Sequence, residues 1–384
     1  MAFPVIKYTG IIPEKPGNIH SEFLSCIEQL LFFCGDEFKP VKLSVFLNSE
    51  SEKDFAGEKK LLGEIISKRF SECPAFSVVS QSPAVSFKLS LEAAVIAAGS
   101  KLAFRAYNQF PYVVIEADDY KVLWASGLEA ANLLSVEEGA DVSFGLMQVI
   151  LMHEGLNFND IVRQWNYIPQ ICYVEQRNGA LIQHYQSFNE VRHAYYQKYR
   201  TKGCFPAATG IGQHFGNFTL DFIAFRCKQS CNDLKVESPL QRNPYQYGQE
   251  VLVGTTTQKK HAPEFERARI LVFSDEMRIL VSGTASIEGE ITTDKDSVER
   301  QTHSTIRNIE SLISKENLFA QYPSLNFSET SFVYLRAYVK YREDISLVEK
   351  IVKQKFGEVP VIVVQAEICR CDLLVEIEAE LQAF

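Results

Sequence analysis

From Ile279 to the C-terminus the chain runs strand, helix, strand, helix, strand, strand with short connections, an order that few folds accept. Ile279-Leu-Val-Ser-Gly-Thr-Ala-Ser-Ile-Glu-Gly289 opens this stretch and Cys371-Asp-Leu-Leu-Val-Glu-Ile-Glu-Ala379 closes it. Between them a helical pattern spans Ser297 to Leu318, followed by the alternating run Phe332-Val-Tyr-Leu-Arg-Ala-Tyr-Val339. A second helix is expected over Asp344 to Phe356 and a buried strand over Val359 to Ala366. That is enough to close a compact α/β unit.

A similar order begins at Tyr112. Strands are expected over Tyr112–Ala117 and Lys121–Ser126, a helix over Asp141–Gly155 and a strand from Asp160 to Ile168. A long helix over Gly179–Arg200 and a strand over Phe218–Phe225 complete it, with the glycine-punctuated Cys204–Gly212 between them. Arg163 and Arg336 occupy matching strands, so the element order reads as an internal repeat. The expected fold class is α/β (α+β): two units in one chain, with mixed sheets and helices packed on one face. Residues 1–228 form the expected N-terminal domain, with its core from about 112. Residues 229–265 are an ordered connecting loop laid over a site, and 266–384 the C-terminal catalytic domain. Two half-sheets can bury each other's faces, and the cleft between them is the natural ligand site. Residues 1–110 carry a helix over His20–Phe33. Val85–Leu91 alternates, and helix and strand signals compete over Glu92–Ala98.

The 384 residues carry a formal charge of −9, with Lys and Arg scattered, so no nucleic-acid partner is expected. Nine cysteines follow no disulfide framework or zinc spacing. Reduced thiols, a cytoplasmic location and no metal are the expectations. No run of 18 or more apolar residues occurs, so no membrane span is expected.

Glu376 and Glu378 alternate with Val375, Ile377 and Ala379, which puts both carboxylates on one face of a strand. In a polar cavity one could serve as a general acid; on an exposed edge both would be inert. The pattern does not choose between them. Arg336, with Tyr334 and Tyr338 on its face, either clamps a substrate carboxylate or pairs with a structural glutamate. Arg163 has the same choice. Cys369 is a pocket thiol or a small core residue. His184, His193 and His303 are dispersed packing or surface residues.

Several motifs in order resemble the chorismatases. They are Asp160-Ile-Val-Arg-Gln-Trp-Asn-Tyr-Ile-Pro169, Tyr185-Gln-Ser-Phe-Asn189, Phe205-Pro-Ala-Ala-Thr-Gly-Ile-Gly212, Ser282-Gly-Thr-Ala-Ser-Ile287 and Cys371-Asp-Leu-Leu-Val-Glu-Ile-Glu378. The resemblance runs from about Tyr112 to the C-terminus, and each half also resembles the small YjgF/RidA fold. It implies chorismate as the substrate, pyruvate as one product, and no metal or organic cofactor. It selects Glu376 as the general acid and implies a substrate role for Arg336, with Tyr334, Tyr247, Thr284 and Arg163 as further binding candidates. Cys369 resembles the cysteine of the branches that make 3-hydroxybenzoate, alone or with 4-hydroxybenzoate. Ala285 stands where members making only 3-hydroxybenzoate tend to carry glycine. The alternatives are a chorismate hydrolase giving a dihydroxycyclohexadiene carboxylate, and an inactive ligand-binding protein of the same fold. A monomer is expected, with a homo-oligomer as the alternative.

Overall fold

The computed structural model describes residues 5–383 except 85, 178, 202, 229–231, 255–259, 274–275 and 328. The first 97 residues, which the sequence left almost unread, build a complete sheet of their own. It consists of β1 (Ile6–Ile11), α1 (Ile19–Cys34), β2 (Phe38–Leu47), α2 (Glu52–Arg69), β3 (Ala75–Val79) and β4 (Leu89–Ala97), in strand order β1-β4-β2-β3. Asn18 starts α1 by accepting the Ser21 N–H at 2.9 Å, which satisfies one of the free donors of the first turn.

The second unit contains β5 (Leu102–Tyr107), β6 (Phe110–Glu116), β7 (Tyr120–Leu128), α3 (Val136–His153), β8 (Ile161–Pro169), α4 (His184–Tyr199), β9 (Ala207–Gln213) and β10 (Thr219–Cys227). The third contains β11 (Asn232–Val236), β12 (Ala268–Val272), β13 (Met277–Ala285), α5 (Val298–Leu312), β14 (Thr330–Val339), α6 (Ile345–Phe356), β15 (Val361–Gln365) and β16 (Val375–Ala383). Their sheets run β5-β6-β7-β10-β8-β9 and β11-β12-β13-β16-β14-β15, the same order element for element. In both, the outermost pair of the helical half is parallel and the other pairs antiparallel. The first unit repeats the four strands of the helical half, with β1, β4, β2 and β3 in the places of β13, β16, β14 and β15. The mixed α/β architecture is therefore present, and the two expected units are joined by a third.

Each sheet buries one face under its own helices. The other faces meet in a shared core containing Val41 and Phe46 of the first unit, Trp124 and Tyr167 of the second, and Leu280 and Tyr338 of the third. The contacts are cyclic: β3 packs on β7, β9 on β13, and β15 on β1. The short strand Ser82–Pro83 adds to the edge of the third sheet beyond β15.

Two expected elements differ. The helix expected over Gly179–Arg200 starts only at His184, because Ala180–Gln183 pairs as a hairpin with Val174–Arg177. The helix expected over Ser297–Leu318 ends at Leu312, and a separate short helix spans Lys315–Gln321. Cys227 is disulfide-bonded, against the expectation of reduced thiols; Cys231 lies outside the described residues. No described helix is long and apolar enough to cross a membrane.

Candidate active site

In the third unit, Ser282 and Gly283 form a bulge in β13 opposite the single residue Glu378 of β16. The bulge presses β13 toward the second unit. There the Ser282 hydroxyl accepts the Ala208 N–H of β9 at 2.8 Å and the Gly283 N–H donates to Thr209 Oγ1 at 3.1 Å. The carboxyl of Glu376 lies over Gly283. A Cβ at 283 would stand 2.0 Å from Glu376 Oε1, so only glycine leaves that carboxyl its place.

Glu376 opens into a cleft between the second and third units. Tyr185 and Gln186 of α4 with Ala208 and Gly210 of β9 form one wall. Gly283, Ala285, Cys369, Arg370 and Leu373 form the other. The cover is the described part of the insertion between β11 and β12, residues 237–254 and 260–267, which contributes Tyr247, Leu252, Pro263, Phe265 and Arg267. The counterpart of this insertion in the second unit is the two-residue turn Asn108-Gln109 between β5 and β6.

Tyr247 is gripped on two sides. Arg267 donates to its hydroxyl at 2.6 Å, and the Arg370 guanidinium lies 5.1 Å from its ring. Arg370 is oriented by donating to the Glu290 carbonyl at 2.7 Å, and Glu290 in turn accepts the Gly248 N–H at 2.9 Å. Arg267 is 2% exposed, and its Nε has no hydrogen-bond partner among the described residues. Two guanidinium groups thus line a cleft that also holds a buried acid. The backbone at Ala285 is fixed from behind by α5, where Asn308 Nδ2 donates to the carbonyls of Ala285 and Ile287 at 3.0 Å each.

Glu376 is 4% exposed, and no described residue donates a hydrogen bond to its carboxyl. Burial first, and the neighbouring Glu378 second, push its pKa up to about 8, with Arg163 and Arg267 opposing. At neutral pH it carries its proton. Burial, reinforced by Glu376, pushes the Cys369 thiol up to about 12, so it is a neutral wall of the cleft and not a thiolate.

The expected site residues therefore separate. Glu376, Cys369, Tyr247 and Ala285 come together in the cleft. Arg336, Tyr334, Thr284 and Arg163 do not line it. Arg336 is buried and taken up by Glu92 of the first unit, by the hydroxyls of Tyr167 and Tyr338, and by Glu378 at 3.3 Å. Tyr334 bonds to Glu92 and stacks on Tyr8 at 4.8 Å between ring centroids. Thr284 turns its hydroxyl back to the Ser282 carbonyl at 2.9 Å. Arg163 donates to Glu378 at 2.9 Å and to Thr209 at 2.8 Å. A strand pattern gives the face on which a side chain stands, but not which neighbouring unit it meets there. Arg267, Arg370 and Tyr185 escaped the sequence reading. Two signals lay beside them: Arg370 follows Cys369, and Tyr185 opens one of the quoted motifs.

Arg336, Arg163 and a third cation close a buried ring. Arg336 of the third unit pairs with Glu92 of the first, Lys42 of the first with Asp221 of the second at 3.1 Å, and Arg163 of the second with Glu378 of the third at 2.9 Å. Each unit gives a cation to one neighbour and an acid to the other. Among the described residues no group of three or more His, Cys, Asp or Glu could hold a metal ion.

Residues 98–224 match the family model described as chorismatase FkbO/Hyg5-like, N-terminal. A 3-hydroxybenzoate synthase of Streptomyces hygroscopicus is 30% identical over 231 residues, and a chorismatase of Streptomyces rapamycinicus 33% identical over 231. These matches cover 59% and 58% of this chain, and 64% of each relative. A crystal structure of a chorismatase superposes with a TM-score of 0.68 at 20% identity, covering 99% of both chains. The chain is thus similar in sequence and fold to the chorismatases, and it spans 64% of the length of the curated relatives it matches. The likeness of fold to the solved chorismatase extends over all three units, the first included.

Proposed function

We propose that the protein cleaves the enolpyruvyl ether of chorismate, releasing pyruvate and 3-hydroxybenzoate, alone or with 4-hydroxybenzoate. The observation that carries this is the Glu376 carboxyl: buried, protonated at neutral pH, and facing a covered cleft with two guanidinium groups. Such an acid can protonate the methylene carbon of the enolpyruvyl group and leave an oxocarbenium-like centre on the ether carbon. The substrate's own C4 hydroxyl then takes part in freeing pyruvate, and the ring loses a proton as it becomes aromatic. Chorismate alone supplies all the atoms of pyruvate and hydroxybenzoate, and Glu376 recovers its proton. Arg267 and Arg370 would offset the two substrate carboxylates, which a chain of net charge −9 would otherwise repel.

Cys369 and Ala285 flank the acid, and in this reading they set where the ring sits and so which atom reacts. The third unit is the catalytic one; the loop expected over 229–265 is shorter at its start, since Asn232–Val236 pairs into the sheet as β11, and the cover is the described part of the insertion that follows. The chemistry asks for no metal or organic cofactor. Three units that close a ring within one chain support a monomer, and we assign it to the cytoplasm without a nucleic-acid partner.

The test is to incubate purified protein with chorismate and quantify pyruvate, resolving the partner product by chromatography and mass spectrometry. Pyruvate with 3-hydroxybenzoate is expected. Pyruvate with the dihydroxycyclohexadiene carboxylate would make the protein a hydrolase acting through the same acid. No pyruvate at any pH would refute the proposal.

A further inference from the structure

Two residues beyond Glu376, on the same face of β16, stands a second buried carboxylate for which the proposed reaction has no use. Glu378 accepts Trp165 Nε1 at 2.8 Å, Arg163 Nη2 at 2.9 Å and the Thr209 hydroxyl at 2.6 Å. Arg336 Nη1 lies 3.3 Å from its other oxygen, and the Tyr338 hydroxyl donates at 3.3 Å. A donor set of this kind, with two guanidinium groups in it, fits an ionised carboxylate. Burial works against the charge, but Arg336, Arg163 and the hydrogen bonds of Thr209 and Trp165 hold Glu378 below the ordinary glutamate range.

This anion is tied to the cleft. The Thr209 oxygen that donates to Glu378 also accepts from Arg163 and from the Gly283 N–H, and Gly283 is the residue over which the Glu376 carboxyl lies. A fixed charge at this range, in a site with little water, acts strongly on its neighbour.

We propose that Glu378 is an electrostatic positioning residue: a permanent buried anion, clamped by Arg163 and Arg336, that keeps the neighbouring Glu376 in its acid form. The proposal deepens the assignment of Glu376 as the acid and rests on it. The other groups facing Glu376 cannot do this. Arg163 and Arg267 favour the carboxylate, and Arg370 adds a further positive charge to the wall. Cys369 and Tyr185 are neutral near pH 7, because burial raises both. Tyr247 lines the cover, and β13 and β9 present Gly283, Ala285, Ala208 and Gly210. Among these groups the anion is Glu378.

The test is a carboxyl-carbon NMR titration of ligand-free protein labelled at glutamate, with Glu376→Gln and Glu378→Gln assigning the two signals. In the unaltered protein Glu378 should stay ionised across the range in which Glu376 titrates; a proton on Glu378 at neutral pH overturns the proposal. In Glu378→Gln the Glu376 transition should move down by about one pH unit or more, while Glu378→Asp should hold it near its original place. An unmoved transition in a folded Glu378→Gln protein also overturns it. If that variant does not fold, Glu378→Asp identifies the Glu378 signal, and a proton on Glu378 at neutral pH still overturns the proposal. The basic limb of kcat/KM should move with the NMR transition. Because the titration needs no substrate, failure to release pyruvate would defeat the assignment to chorismate without touching the coupling between the two carboxyls.

Discussion

In the third unit Ser282-Gly283 bulges opposite Glu378, and Glu376 stands two residues before that acid. In the second unit Ser126-Gly127 bulges opposite Asp221, and the place two residues earlier belongs to Thr219. Both buried acids accept from a hydroxyl on the edge strand of the preceding unit, Thr209 for Glu378 and Ser77 for Asp221, and each pairs with a cation of that unit. From there the two seams diverge. Thr219 is tied to Glu129 at 3.0 Å, and a Cβ on Gly127 would meet the Phe76 carbonyl at 2.5 Å, so backbone and not a carboxyl takes the space over this glycine. At the other, the Glu376 carboxyl takes the space over Gly283, and Tyr247, Leu252, Pro263 and Phe265 of the insertion roof it. A cleft was made from a structural seam by one acid, one unfilled glycine and one insertion.

The largest effect should come from removing the acid. Glu376→Gln should lower pyruvate release by about 10³-fold with the fold retained, whereas Thr219→Val, at the matching place in the other seam, should leave turnover within a few-fold. Steady-state kinetics and circular dichroism decide, and a turnover loss of similar size in both variants would erase the distinction between the seams. The paired glycines sharpen it next. Gly283→Ala drives a methyl into the Glu376 carboxyl and should cost on the order of 10²-fold in kcat. Gly127→Ala should cost about 1–3 kcal/mol of stability, because residue 127 has φ of 72° and its Cβ would strike backbone, while leaving kcat alone.

A pH effect follows from the raised pKa of Glu376. Its protonated form favours the fold, so its contribution is complete below the ordinary value of about 4.5 and fades as pH rises to about 8. Across that window the melting temperature of the unaltered protein should fall relative to Glu376→Gln. Its kcat/KM should decline above about pH 8 for the same reason. Parallel melting curves for the two proteins would mean that Glu376 is not held protonated. The smallest effect should be that of Cys369→Ala. The rate should change only a few-fold, and the product ratio should move toward the dihydroxycyclohexadiene carboxylate, read by chromatography. An unchanged ratio would remove Cys369 from the control of product.

The sequence made the third unit legible because its strands alternate and its helices are short and striped, as in Phe332–Val339 and Asp344–Phe356. The first unit stayed dark for a physical reason. In β4 the eight residues Leu89–Ile96 are all buried, since helices cover one face and the shared core the other, so no alternation survives to mark a strand. Glu92 sits in that run and is the partner of Arg336, which is why the arginine's role could not be read from its own strand. Alternation left Glu376 and Glu378 equal, and the resemblance alone chose Glu376, the one of the two that lines the cleft. Arg267 and Arg370 were not, because a guanidinium on a loop has no periodicity to announce which cavity it enters.

The ring of units also has a consequence for how such a site can arise and be kept. In a ring of three identical chains, any change at one seam is copied into the other two. A buried carboxyl that strains the fold, or a roof that closes a cleft, would then be imposed three times over. Here the three seams are encoded separately, so Glu376, Gly283 and the insertion between β11 and β12 could be altered at one seam while Thr219 was kept at another. Covalent continuity freed the seams from one another's history, and two of them can remain ballast for the third.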